Sequence, residues 1–509
     1  MSRHLTDEKR GAKLAAVCAE FDHWDEKKHN AELHFGAGNV LSLALTMTND
    51  DAEIGMICTA MEMAFRASPE SVHVAFDKVG SSVVPWMLQI MQKCENGKLR
   101  NADNCILSIT KTFVYFSRVP ELRLQLARHP RLCNALVRVA TSILNGDCRT
   151  VRMKLIANLA NCEDNKIYFV EREGLLESIL RIAALDLLDK PREYASLALM
   201  DLAASPANHE RLARNDKLLG TLVKLAVVEK VPETREAAIS ALQNLAFCQA
   251  NRMHLVTYSS GVVVEALKKA VSTDPVSKAR RRASGALTNL ACDETAERLA
   301  NHQGLLETLA VVSTKDDNGE VQSRASMALT KIATTITCTM PAYKTLLDAL
   351  VVASLSDNKN SVSAVLRVKA RDPENRKSMA QHPGILDTLA DICVSDGLPK
   401  DCDNAMRALM HLTNEDDNHK VMCQKTVLDA LVVGATFDAD DGEIQESAIV
   451  AMERLATDYS NRPIMARHNG LLTAVAKATE HETQLEDSGM ESTRDRLAKP
   501  LLMSLLLAL

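Results

Sequence analysis

A short phrase, in which a small or apolar run closes on a polar residue, an aliphatic and an alanine, returns along this chain at a near-constant spacing. It reads LIANLA at Leu155–Ala160, ALMDLA at Ala198–Ala203, ALQNLA at Ala241–Ala246 and ALTNLA at Ala286–Ala291. Weaker copies are ALTKIA at Ala328–Ala333, VLRVKA at Val365–Ala370, ALMHLT at Ala408–Thr413 and AMERLA at Ala451–Ala456. Their last residues stand 43, 43, 45, 42, 37, 43 and 43 apart. A period of this size marks a chain built from one supersecondary unit stacked on itself.

Two further phrases keep the period. One is GLLESIL from Gly174, KLLGTLV from Lys217, GVVVEAL from Gly261, GLLETLA from Gly304, GILDTLA from Gly384 and GLLTAVA from Gly470. The other precedes it: NKIYFVEREG at Asn165, NHERLARND at Asn208, NRMHLVTYSSG at Asn251, TAERLANHQG at Thr295, NRKSMAQHPG at Asn375 and NRPIMARHNG at Asn461. Together they predict three helices per module. The first is short, opened by Asn or Thr in an N-cap role and closed by Gly, or by a polar residue that tolerates a left-handed turn. The second carries Leu218, Leu219, Leu222, Leu225 and Ala226 at helical spacing, and the third Ala237, Ala238, Ala241, Leu242, Leu245 and Ala246. No module can bury its own apolar faces, so the modules must stack.

This triplet resembles the armadillo repeat, most closely at ASGALTNLACDE (Ala283–Glu294) with HQGLLETLA (His302–Ala310). The resemblance implies an all-α, right-handed solenoid of about ten or eleven three-helix modules. HEAT repeats have two helices per module and lack the glycine-closed first turn. The expected divisions are an N-terminal capping helix over 1–30, divergent modules over 31–118, regular modules over 119–480, and an acidic loop with a C-terminal capping helix over 481–509. The module around 340–373 is short and irregular.

Composition narrows the function. Nineteen glycines, 14 prolines and 3% aromatics in 509 residues argue against a sheet-rich fold. A net charge of −6 disfavours bulk nucleic-acid binding, and no apolar run is long enough to span a membrane. The 13 cysteines include no C-x-x-C pair and fit reduced, buried thiols, which points to the cytoplasm or nucleus. No phosphate loop, nucleophile elbow or zinc helix is present, so neither enzyme chemistry, a cofactor nor a metal is expected. The DADDG run at Asp438–Gly442 fails as a calcium loop, because Phe437 would fall at its first ligand position.

What remains is surface. In the armadillo family the third helices line a groove, where asparagines bond the backbone of an extended peptide. The resemblance carries that role to Asn158, Asn244 and Asn289, with Asp201, Lys331, Val368, His411 and Arg454 at the other matching positions. The equally open reading is that these asparagines close local helix-end bonds. Import adaptors carry tryptophans one turn earlier, where this chain has Lys154, Leu197, Ser240 and Gly285, so nuclear import of that type is not expected. Two turns earlier lie Glu193 and Glu236, and then the basic run Lys278, Arg280, Arg281 and Arg282, suited to an acidic or phosphate-bearing partner. The expected function is a scaffold that binds a protein partner, with oligomeric state open. The alternative is a regulator or chaperone-type adaptor gripping a folded client, such as a small GTPase or a myosin-like protein.

Overall fold

A computed structural model describes residues 51–67, 84–97, 102–138, 145–337, 339–355, 359–395, 399–437, 442–480 and 493–509. Every regular element among them is a helix. The chain packs as two compact halves, Met1–Asn251 and Arg252–Leu509, and the division falls inside the helix Gln249–Thr257. The expected cap over 1–30 and the acidic stretch 481–492 lie outside the described residues.

The first half repeats the expected triplet. Pro120–Arg128, Pro130–Val137 and Gly146–Ala160 are followed by Glu163–Glu171, Leu175–Leu185 and Asp189–Ala203. The next set is Pro206–Asn208 running into His209–Ala213, then Asp216–Val228 and Pro232–Phe247. In the second half, complete sets end on the third helices Gly319–Thr335, Pro399–Leu412 and Glu443–Thr457, and the last on Thr493–Leu506. Each apolar phrase forms the core it predicts: Leu218, Leu219, Leu222, Ala237, Ala241 and Leu245 are buried. The turn between first and second helices takes the left-handed conformation at Gly174, Gly304, Gly384 and Gly470, with φ from 71° to 88°. Only glycine adopts it without a Cβ penalty. At NRMHLVTYSSG one extra residue forces Ser259 and Ser260 there too, at φ 46° and 60°.

The asparagines that open each first helix are not N-caps. Asn208, Asn418 and Asn461 stand at helix starts, yet none of their side chains caps the helix. Each is buried and uses its amide nitrogen as a double donor. Asn208 Nδ2 donates to the Leu202 carbonyl at 3.0 Å and the Lys166 carbonyl at 3.1 Å. Asn165 does the same to Leu159 and Arg123, and Asn251 to Leu245 and His209. In the second half Asn418 bonds Leu412 and Arg376, and Asn461 bonds Leu455 and His419. In these five, one acceptor lies 6 residues back, at the C-terminal end of the preceding third helix, and the other 42 back, on the preceding first helix. The 42-residue bond lands on the residue after the previous asparagine. A period of 43 is therefore the spacing that keeps every rung of this ladder made. Thr295 replaces asparagine in one module, and its hydroxyl donates to the Leu290 carbonyl.

The irregular module lacks a first helix: residues 339–342 turn directly into Tyr343–Ala353. The carbonyls at the end of the preceding third helix are met instead by Lys369, whose ammonium donates to Thr334 O at 2.8 Å and to Ile336 O. The side chain is 4% exposed, and burial lowers its pKa to about 8 from 10.5. Above pH ~8 the folded chain thus releases a proton that the unfolded chain still holds. This group's contribution to stability is flat below that pH and rises between about 8 and 10.5. Lys369→Met should flatten that rise in urea-unfolding midpoints taken across the window; an unchanged slope would assign it to other groups.

Candidate functional site

Successive third helices pack directly on one another. In the first half Ala102–Phe116, Gly146–Ala160, Asp189–Ala203 and Pro232–Phe247 form one such series. In the second, Ser277–Leu290, Gly319–Thr335, Lys359–Arg371, Pro399–Leu412, Glu443–Thr457 and Thr493–Leu506 form another. Their alanines and leucines turn inward, which leaves an open stripe along each helix. Thr150, Lys154 and Asn158 are half-buried on one helix, and Leu197 and Asp201 on the next. Ser323, Met327 and Lys331 are exposed on Gly319–Thr335. Within each half, side-by-side stripes at a one-module interval make a ribbed face.

The asparagines placed on this face partly serve the fold. Asn158 Nδ2 donates to Ser117 Oγ at 2.9 Å, and Asn244 Nδ2 to the Met200 carbonyl at 3.4 Å, each one module earlier. Lys331 Nζ reaches the Thr288 carbonyl at 3.2 Å and Arg454 Nη1 the Met410 carbonyl at 3.0 Å in the same manner. Cross-links between neighbouring third helices, rather than local helix-end bonds, are what this column makes. Asn289 is half-buried and its side chain makes no hydrogen bond among the described residues. Asp201 is pushed above the usual carboxylate range by burial, against the opposing bond from Asn161.

The charged positions divide. Glu193 is almost fully buried and pairs with Lys190 at 2.6 Å, so it presents little charge to the face. Glu236 is half-buried and Lys278 exposed, both with interactions inside the chain. Arg280 is spoken for: its guanidinium clasps Asp316 at 2.7 and 3.1 Å, reaches Asp317, and donates to the Asp274 carbonyl at 3.0 Å. Arg149–Asp186 and Arg192–Glu229 repeat this clasp at 2.7 Å, each tying a third helix to the next module. Arg192 holds the Glu229 carboxyl below its usual range. Arg281 shares Glu320 at 3.0 Å, while Arg282 is half-buried. The basic run is thus a framework clasp with only Lys278 and Arg281 turned outward.

The sequence reading names His411 and Arg454 singly but does not group them with Arg371 and Arg376. His411 and Arg454 stand one period apart in the asparagine column, and Arg371 and Arg376 flank them. Matching residues down a column rather than along a run is the signal that finds them. No cluster of three or more metal-ligating side chains occurs among the described residues, and no helix there is long and apolar enough to cross a membrane. The cysteines described are all free thiols, eight of them buried.

No protein-family model matches the sequence, and no curated protein does. Solved structures do. One chain, from the structure described as "A conserved phosphorylation switch controls the interaction between cadherin and beta-catenin in vitro and in vivo", is 14% identical with a TM-score of 0.50, covering 94% of this chain and 99% of that one. An engineered protein is 18% identical over 92% of this chain and 98% of its own, at a TM-score of 0.48. A designed armadillo repeat protein in complex with a (KR)4 peptide is 21% identical, covering 49% of this chain and 98% of its own, at 0.41.

Proposed function

With an armadillo-like helical fold as the premise, we propose that this chain is a non-enzymatic scaffold that holds a partner protein against the ribbed face of its third helices. The observation that carries the reading is the row of open stripes on directly packed third helices, of mixed polar, charged and apolar character. Exposed Met327 and Val368 supply apolar anchors, and half-buried Asn158, Asn244 and Asn289 retain amide capacity for an extended backbone. The solved chain of like fold comes from work on an interaction between cadherin and beta-catenin, and a framework of this kind accords with a binding role. Fold alone does not name a partner.

A photo-cross-linking amino acid placed in turn at Leu197 and Met327 should capture the partner that co-purifies with the full chain. The same group at Leu187, which is 92% exposed between second and third helices, should not. Capture confined to Leu187 would refute the third-helix face.

A further inference from the structure

Three arginines of the second half gather with none of the described carboxylates in an ion pair with them. Arg371 ends the third helix Lys359–Arg371, Arg376 lies on the first helix Pro373–Gln381, and Arg454 lies on the third helix Glu443–Thr457. Arg376 is tied back to Arg371 by Nη2 to that residue's carbonyl at 2.9 Å, and by Nε to the Ala370 carbonyl at 3.1 Å. Arg454 Nη1 donates to the Met410 carbonyl at 3.0 Å, which sets it beside His411 on the intervening helix Pro399–Leu412. His411 feels all of them: burial first, then the charges of Arg376, Arg371, Arg454 and Arg367, holds its imidazole below the usual range.

Arg371 is exposed, and Arg376, His411 and Arg454 are half-buried, so the group opens to solvent. Among the described residues Arg371, Arg376 and Arg454 form no ion pair, and the bonds Arg376 and Arg454 make are to main-chain carbonyls. The carboxylate that acts on Arg454 is its chain neighbour Glu453. Elsewhere the framework arginines Arg149, Arg192, Arg280 and Arg407 each clasp a carboxylate. The carbonyl ends of the third helices offset part of the local repulsion, but a helix end supplies only a fraction of a charge. Folding gains nothing from leaving these cations side by side.

We propose that Arg371, Arg376, His411 and Arg454 form a receptor for a phosphorylated side chain on a segment of the partner protein. The inference rests on the third-helix reading above and names the chemistry of the partner. Guanidinium groups match the oxygens of a phosphate with paired, charge-assisted hydrogen bonds, and Arg371 has all its donors available. Compactness selects a concentrated anion over an extended one. Toward the N-termini of the same third helices lie Asp403 and Glu446, and Glu443 beside Arg407, which would repel a continuous polyanion such as nucleic acid. A single phosphoryl group places about two negative charges within the patch and none beyond it.

The test titrates the full chain with a short fluorescent peptide carrying one phosphoserine, its unmodified form, its aspartate form, and an oligothymidylate. The phosphopeptide should bind about tenfold or more tightly than the unmodified form, with aspartate between them. Arg371→Gln with Arg454→Gln should abolish that preference. Arg371→Gln alone, a change at an exposed side chain bonded to nothing in the fold, should remove part of it with helicity unchanged. No preference for the phosphopeptide, or a preference that survives the double substitution, overturns the proposal. Tighter binding of oligothymidylate also overturns it and assigns the patch to nucleic acid. If the unsubstituted chain keeps its partner cross-link at Met327 but shows no preference for the phosphopeptide, this site falls while the scaffold stands; absence of third-helix cross-links in that chain defeats the scaffold itself.

Discussion

Asn208→Ala should destabilise the first half by about 2–4 kcal/mol, far more than substitution of a half-buried polar residue normally costs. The side chain is 2% exposed, and its amide closes two carbonyls, Leu202 O and Lys166 O, that water cannot reach once the modules stack. Alanine leaves the Leu202 carbonyl unmet, at a cost of about 1–3 kcal/mol, and takes from the Lys166 carbonyl, which keeps its own helix bond, a second bond worth about 1 kcal/mol. Because a stack of modules is coupled mainly between neighbours, the damage should stay local. Amide exchange in Glu163–Glu171 and Asp189–Ala203 should quicken by about 30-fold or more, while that in Ile385–Val394 and Pro399–Leu412 stays as it was. Asn208→Asp should be worse at neutral pH, since it turns a negative charge toward both carbonyls. Asn158→Ala, which removes one bond at a half-buried position, is the control and should cost under about 1 kcal/mol. Equal effects at 158 and 208 would mean that the ladder is not what holds the modules in register.

The same ladder explains why the fold was open to reading and the site only partly so. The asparagines recur because each must reach a fixed carbonyl one module back, so a geometric requirement is written into the spacing itself. The direction of the bond is not written there. An asparagine before an apolar run has the look of an N-cap, and only the stacked neighbour shows the amide donating instead. Arg280 failed to show its role for a related reason. Within KARRRA it is one cation among several, and its partner Asp316 lies 36 residues on, adjacent only once the next module has folded. The patch at Arg371, His411 and Arg454 is scattered in the same way, since stacking converts one period of sequence into one step across a surface. Residues of a single module are legible from its own pattern; residues that meet across modules are legible only when the columns are aligned.

Arg152 tests that distinction most severely. It stands one period before Ala195 and two before Ala238, both core alanines, so the repeat pattern calls for a small apolar residue there. It is instead a wholly buried arginine, and the helix over residues 84–95 supplies the reason. Glu95, at the end of the helix over residues 84–95, accepts from Arg152 Nη2 at 2.6 Å and from Arg138 Nη2 at 2.7 Å, while Arg152 Nη1 meets the Ala135 carbonyl at 3.3 Å. Removing one member of a buried ionic group leaves the other desolvated and unpaired, so Arg152→Ala should cost about 3–5 kcal/mol, with the emptied volume adding to the loss. Arg138 is half exposed and cannot take over the inner oxygen of Glu95. Replacing both charges by apolar side chains of similar length removes the desolvation along with the attraction, so Arg152→Met with Glu95→Met should recover most of what Arg152→Ala loses. Urea unfolding of the single and double variants would give a coupling energy, and a coupling below about 1 kcal/mol would mean that the arginine is held by packing, not by Glu95. A large coupling would identify Arg152 and Glu95 as the joint that fastens the helix over residues 84–95 to the helix Gly146–Ala160, at a position where the repeat alone offers nothing but another alanine.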